Sequence, residues 1–200
     1  MKKTFGIIGS GNIGQTVARH LLKVGYPVIL SNSSGPNTLK DTISSLGEGA
    51  SAGTVEEAAK ADIVLLSLPW SQVPTLTEIV DWKGRIVIDA TNHFISYAPD
   101  FEVQDLGGRA SSEIVAELLP GARIVKAFNT IFFKILAADP KVAGGNRVLF
   151  ISGEDKEAKS EIAEIIISIE FAPIDLGSLS EGSKLQQAKG ALATLNLIKL

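Results

Sequence analysis

A doubly wound α/β fold, with a mostly parallel sheet and helices on both faces, is predicted by three features of this 200-residue sequence. Apolar bursts of strand length alternate with segments of helical period along the first two thirds of the chain. Ala, Ile, Leu, Val and Gly are plentiful while aromatics make up only 6%, a mix that suits helices packed on a parallel sheet. A glycine cluster separates the first burst from the first periodic segment. With 45% hydrophobic residues, the chain can bury a core of its own, and residues 1–200 are expected to form one compact domain.

The elements follow in order. Thr4 to Ile8 is the first strand. Ile13, Val17, Leu21 and Val24 then recur at helical spacing, and Gly25 ends that helix. Pro27 to Ser31 is the second strand, and the polar loop Asn32 to Asn37 leads to a short helix near Leu39 to Leu46 and a weak strand at about Ala50 to Ala52. Thr54-Val55-Glu56-Glu57 has the spacing of a capping box, so a brief helix runs to Lys60. The near-continuous apolar run Ile63 to Leu68 predicts a central strand covered on both faces, stopped by Pro69. Gln72 to Val80 reads as helix and Gly84 to Asp89 as strand. Ser111-Ser112 cap a helix from Glu113 to Leu119, which Pro120-Gly121 terminate. Arg123 to Ala127 is the sixth strand. Beyond the glycine-rich Ala143 to Asn146 come a strand at Val148 to Ser152, a helix from about Asp155 to Ile169, a strand at Phe171 to Ile174 and a terminal helix from about Glu181 to Leu195.

Composition excludes several functions. A net charge of -3 with mixed signs leaves no electrostatic footprint for nucleic acid or an acidic membrane. The absence of cysteine rules out disulfides, thiolate metal sites and a cysteine nucleophile. Met1-Lys2-Lys3 begins like a secretory leader, but the apolar run that follows is short and broken by Gly6, Gly9, Gly11 and Gly14. It reads as a strand, with a cytoplasmic protein as the expectation. The apolar stretches fall short of a membrane span, and no His/Asp/Glu cluster has metal-ligand spacing.

Gly9-Ser10-Gly11-Asn12-Ile13-Gly14 is G-x-G-x-x-G between a strand and a helix. The first glycine permits the tight turn, the second lets backbone approach a pyrophosphate, and the third lets helix pack closely on strand. Free amides at the helix start then face the phosphates. A bound dinucleotide on a Rossmann-like domain is the expectation. Other ligand-facing loops should follow the carboxyl ends of the later strands, at Ser67-Leu68-Pro69-Trp70, Ala90-Thr91-Asn92-His93 and Ala127-Phe128-Asn129-Thr130. Trp70 reads equally as packing or as a nicotinamide contact. Asn92 and Asn129 either orient a carboxamide or substrate oxygen, or cap the helices that follow.

An NAD site commonly places an acid at the tip of the second strand to bind the ribose 2′-OH. Here the tip is Ser31-Asn32-Ser33-Ser34, with Lys40 beyond it. Hydroxyl and amide donors without a carboxylate suit a 2′-phosphate, so NADP is the expected cofactor, with dual NAD/NADP use as the alternative.

These segments resemble the coenzyme F420-dependent NADP reductases and their bacterial relatives, the NADP-binding oxidoreductases. The resemblance runs over GIIGSGNIG, SNSSGP, ADIVLLSLPW, VIDATN, SSEIVAELLPGARIVKAFNTI and the closing LNLIKL. The nucleotide domain is also similar to the cytoplasmic part of the six-transmembrane ferric reductases. The resemblance implies that Ser10, Asn12 and Ile13 line the pyrophosphate, Ser31 to Ser34 the adenosine ribose, and Leu68, Pro69, Trp70 and Thr91 to His93 the nicotinamide side. It further implies a hydride acceptor of deazaflavin or flavin type. Relatives commonly carry Arg at the position of Ser34, a departure that bears on NADP preference.

Hydride transfer between a nicotinamide and a flavin-like ring needs two rings held face to face more than it needs acid-base chemistry. The chain has two histidines and no Ser/Tyr/Lys set spaced as in short-chain dehydrogenases. His20 is expected at the surface. His93 either donates to a substrate oxygen or packs and orients. Dehydrogenases with a similar nucleotide domain append a helical substrate domain. Here Ala137 to Arg147 and the last helix, through Leu185-Gln186-Gln187, are expected to complete the site. Ile131-Phe132-Phe133 and Leu195 to Leu200 read either as a homodimer seam or as buried in the monomer. Two other functions compete, an NADP(H)-binding redox sensor without turnover and a small-carbonyl reductase with His93 as acid.

Overall fold

The computed structural model describes residues 2–200. Strands β1 (Phe5–Ile8), β2 (Val28–Ser31), β3 (Ala50–Ala52), β4 (Ile63–Leu66), β5 (Ile86–Asp89) and β6 (Arg123–Lys126) form one sheet in the order β3-β2-β1-β4-β5-β6. Every pairing in it is parallel. The winding reverses between β1 and β4, which opens a crevice above their carboxyl ends.

Alternation along each strand sends its side chains to two apolar layers. Ile7, Leu30, Leu65, Ile88 and Val125 meet Val17 and Leu21 of α1 (Asn12–Lys23) and Ile162 and Ile166 of a later helix. Ile8, Val64, Leu66, Val87 and Ile124 pack on the opposite face against Ala58, Val73, Trp82 and Val115. The helices between are α2 (Lys40–Leu46), α3 (Val55–Ala59) and α4 (Ser111–Leu118). The predicted capping box is present on α3, where the Thr54 hydroxyl accepts from Glu57 N–H and the Glu57 carboxylate accepts from Thr54 N–H.

The sheet continues into a second one. Beyond α5 (Phe133–Leu136), β7 (Lys141–Val142) and β8 (Gly145–Ile151) make a two-residue hairpin. Its central residues, Ala143 and Gly144, have φ of 52° and 82°, the geometry of a type I′ turn. Of the glycine-rich Ala143 to Asn146, the first two residues are this turn and the last two open β8, which begins three residues before the expected Val148. Helix α6 (Lys156–Ser168) then crosses to β9 (Ala172–Asp175), parallel to β8. A bridge between Lys126 and Ser152 ties the two sheets together.

Four expectations are corrected. Residues Trp70–Leu76 form a 3₁₀ segment in place of the helix Gln72 to Val80, because Pro74 lies inside it and supplies no amide hydrogen. Ser111 and Ser112 do not cap α4; its first free amide, Ala110 N–H, is taken by the Glu113 carboxylate, while Ser111 N–H donates to Gln187 Oε1 and the Ser112 hydroxyl to Asp89. The terminal helix is absent. A π-type turn at Leu179–Ser183 and the short α7 (Lys184–Gln186) give way to a loop in which Lys189 and Thr194 have φ of 62° and 68°. The tail ends as β10 (Ile198–Lys199), antiparallel to β8. Finally, His20 is half-buried: its Nε2 lies 2.7 Å from the Leu136 carbonyl oxygen and its ring meets Phe171 edge to face. Burial holds its pKa below the ordinary histidine value.

Asp155 caps α6 by accepting from Ala158 N–H and grips Arg123 with both carboxylate oxygens, at 2.6 and 2.8 Å. The Arg123 hydrogen bonds, then the Ala158 amide, hold its carboxyl far below the usual carboxylate range. A depressed carboxyl contributes stability at neutral pH that fades as pH falls through the ordinary carboxylate range and below. Asp155→Asn is therefore expected to lower the urea midpoint at pH 7 and to flatten its decline between about pH 4 and pH 2; urea titrations across that window check it.

Candidate functional site

The turn from β1 into α1 is built by contact with β4. Gly9 has φ 113°, and its N–H donates to the Ser31 carbonyl. The Ser67 hydroxyl donates to the Gly9 carbonyl at 2.8 Å. A Cβ on Gly14 would collide with that carbonyl and with the Ser67 hydroxyl, so only glycine lets α1 start this close to β4. Gly11 is the opposite case: a Cβ there would meet nothing within 4 Å. The missing side chain leaves open the space over the helix start. That start has no side-chain cap and no acid in its first turn, so its amide hydrogens and the positive end of the helix dipole face outward. Gly11 and Asn12 are exposed, and Ser10 and Ile13 half-buried. These residues fit a diphosphate.

At the tip of β2, Asn32 organises the loop. Its Oδ1 accepts from Ser34 N–H at 3.0 Å, and its Nδ2 donates to the Thr38 hydroxyl at 3.0 Å and reaches toward the Ser10 hydroxyl at 3.4 Å. Ser33, Ser34 and Lys40 are exposed beside it. Ser31 departs from the expected ligand contact. It is fully buried and its hydroxyl donates to the Ile7 carbonyl, because the last residue of β2 points between the strands. The donors left for a ribose substituent are those of residues 32–34, with no carboxylate among them.

The loops after β4, β5 and β6 carry the remaining candidates. Leu68 is half-buried and Pro69 exposed. Trp70 is packing: buried, donating from Nε1 to Gln104 Oε1 at 2.6 Å and meeting His93 edge to face. Thr91 is buried, with its N–H and hydroxyl both donating to Asp89 Oδ1. Asn92 and Asn129 clasp one another across the two loops. Asn92 Nδ2 donates to the Asn129 carbonyl, and Asn129 Nδ2 to Asn92 Oδ1 and to the Gln186 carbonyl. Asn129 Oδ1 is buried without a partner. His93 is buried too, and its Nδ1 has none. Burial first, then the charges of Lys126 and Lys189, lower its pKa, so the ring is neutral at pH 7.

Beneath these loops lies a group the sequence reading did not assign. Asp89 and Lys126 sit at matching positions of β5 and β6 and form an ion pair with both side chains wholly buried, at 3.0 Å. Lys126 also donates to the Thr91 carbonyl, and Asp89 Oδ2 accepts from the Ser112 hydroxyl at 2.5 Å. Burial alone would raise the Asp89 pKa; the Lys126 charge and the Ser112 and Thr91 hydrogen bonds outweigh it and hold the carboxyl below its ordinary value. Opposite charges at equivalent ends of neighbouring parallel strands were the available clue. Gln186 and Gln187 belong to the same framework and do not extend toward a ligand. Gln186 is wholly buried, accepting from the Ser152 hydroxyl and donating to the Lys126 and Phe150 carbonyls.

The strand order, the uncapped glycine turn and the acid-free tip of β2 define a dinucleotide-binding domain of the Rossmann type. Residues 4–93 match the family model described as NADP oxidoreductase, coenzyme F420-dependent. A hypothetical protein of Sinorhizobium meliloti, SMa0349, is 42% identical in its crystal structure, with a TM-score of 0.92 over 100% of this chain and 97% of its own. A candidate F420-dependent NADP reductase of Arthrobacter sp. FB24 shares the fold, with a TM-score of 0.78 and 23% identity over 89% of this chain and 86% of its own. Metalloreductase STEAP3 of Rattus norvegicus is 28% identical over 90% of this chain but 35% of its own length. The chain thus spans about a third of the curated metalloreductases it matches. Residues 4–93, which carry the glycine turn and the tip of β2, are thus similar to the F420-dependent NADP oxidoreductase family. No helix among the described residues is long and apolar enough to cross a membrane.

Lys126→Met strands the Asp89 carboxylate in the core and is expected to cost about 3–5 kcal/mol of stability. Adding Asp89→Leu should recover most of that loss, which comparison of the urea midpoints of the single and double variants checks.

Proposed function

We propose that this protein is an NADP(H)-dependent oxidoreductase that exchanges a hydride between the nicotinamide and a planar acceptor, coenzyme F420 or a flavin. The observation that carries the reading is the open, uncapped start of α1 beside a loop that offers donors and no carboxylate. Gly11, Asn12 and Ile13 amides would hold the diphosphate, and the Ser33 and Ser34 hydroxyls with the loop amides would take a 2′-phosphate. When bound, the nicotinamide supplies or takes up the hydride. The side chains at the ends of β5 and β6 position the rings. Asn92 and Asn129 are locked to each other, and a locked amide orients better than a free one. Asn129 Oδ1, buried and unpaired, is an acceptor suited to a carboxamide N–H.

A neutral His93 with no carboxylate hydrogen-bonded to it favours orientation over proton transfer, which weighs against the small-carbonyl reading. A redox sensor that binds NADP(H) without turnover is the second reading. The names of the family model and of the Arthrobacter protein support F420, and those of the metalloreductases put ferric chelates among the acceptors to test. The proposed setting is cytoplasmic.

Calorimetric titration with NADPH and NADH, followed by NADPH oxidation with F420, FMN, FAD, riboflavin, ferric chelates and quinones, tests the reading. Tight nucleotide binding without turnover on any acceptor would transfer the assignment to the sensor. Ser34→Arg is expected to tighten NADPH binding about tenfold with little effect on NADH, through a charge-assisted hydrogen bond to the 2′-phosphate. His93→Gln should retain kcat within about tenfold and leave the pH profile between pH 6 and pH 8 unchanged. A loss beyond a hundredfold, as expected for a lost general acid, would restore the carbonyl-reductase reading.

A further inference from the structure

His93 has 4% of its surface exposed, and its Nδ1 is buried without a hydrogen-bond partner. Buried polar atoms are almost always paired, so one left unpaired beside a ligand-facing loop calls for a partner. The positive charges acting on this ring belong to Lys126 and Lys189. That of Lys126 is consumed by Asp89. Lys189 is exposed and pairs with no acid among the described residues.

The turn that carries Lys189 is hydrogen-bonded into the fold. Gln186 anchors it in the core, Gln187 Oε1 accepts from Ser111 N–H at the start of α4, and Gly190 N–H donates to the Gln187 carbonyl. A Cβ on Gly190 would run into the Lys184 and Leu185 carbonyls. Lys189 itself has φ 62°, a left-handed conformation that an ordinary side chain adopts at a cost. Glycine or asparagine would fit that backbone more easily. The turn therefore stands against the loop after β5: its Gln186 carbonyl accepts from Asn129 Nδ2, and Asn129 in turn clasps Asn92, the neighbour of His93.

Building on the hydride-transfer reading above, we propose that Lys189 and His93 form an anion subsite that selects acceptors bearing a phosphate or carboxylate group. The Lys189 ammonium attracts the anion. Neutral His93 donates one hydrogen bond from Nδ1. An acceptor with the same ring and no charged substituent gains neither contact.

Riboflavin, FMN and 10-carboxymethylflavin share one ring system and differ in charge, so their binding to the NADP⁺-loaded protein by equilibrium fluorescence titration tests the subsite. One or both anionic flavins should bind about tenfold more tightly than riboflavin, and which of them does so distinguishes phosphate from carboxylate. In Lys189→Ala the ratio of anionic to neutral affinity should fall to about one, Lys189→Arg should keep most of it, and Lys189→Glu should take it below one. Raising salt from 0.1 to 0.5 M should shrink the wild-type ratio. Equal binding of all three flavins by the wild type, or an unchanged ratio in Lys189→Ala with its melting temperature preserved, overturns the subsite while leaving the flavin reading intact. If none of the three binds, the subsite and the flavin half of the reading fall together, and F420 is left as the acceptor to test.

Discussion

Two opposite charges sealed in the interior govern how the active end of this molecule is assembled. The Asp89 carboxylate and the Lys126 ammonium each lose several kcal/mol of hydration, and the pair is tolerated because polar groups of two neighbouring residues turn toward it. Thr91 gives Asp89 its amide and hydroxyl, Ser112 gives a hydroxyl, and the Thr91 carbonyl accepts from Lys126. Those partners come from the loop after β5 and from the first turn of α4. A requirement to satisfy two charges thereby fixes the loops on which Asn92, His93 and Asn129 stand. Such a pair adds little to net stability compared with apolar packing; what it supplies here is a defined geometry at the ends of two strands.

The phosphate end rests on a contrasting principle, the deliberate absence of groups. Helix α3 is closed by a capping box and α6 by Asp155, so their first amides are spent within the protein. Helix α1 has neither a cap nor an acid. Its N-terminus can be left open because Ser67 and Ser31 hold the glycine turn through backbone groups, leaving the free amides unneeded for folding. The cost of unsatisfied donors is met by solvent at the surface and is relieved when an anion binds.

The carboxyl-terminal third is fastened onto the main sheet. Its small sheet joins the main one through the Lys126–Ser152 bridge, and the turn around Gln186 closes over the ends of β5 and β6. Gln186 reaches carbonyls of both sheets, so the residues expected to contact a second ligand serve as the clasp that brings Lys189 there. Apolar groups also remain exposed, among them Phe132, Leu197 and Leu200, whereas Ile131 is buried. The two segments read as seam or core are thus part buried and part exposed.

Local patterns in the chain were enough to determine the six parallel strands, the glycine turn, the capping box and the acid-free tip of β2, since each depends on residues adjacent in sequence and on periodicities of two or 3.6. Position in the sheet decided the rest. Whether the Ser31 hydroxyl faces a ligand or the Ile7 carbonyl depends on the pleat of β2 beside β1; whether Trp70 stacks on a cofactor or donates to Gln104 depends on a loop that returns 34 residues later. The Asp89–Lys126 pair joins residues 37 apart, and the expected terminal helix lost to interior hydrogen bonds of Gln186 that no helical periodicity encodes. Side-chain chemistry is written locally, but which group each atom meets is set by elements distant in sequence, and those long-range partners exist only once the sheet has formed.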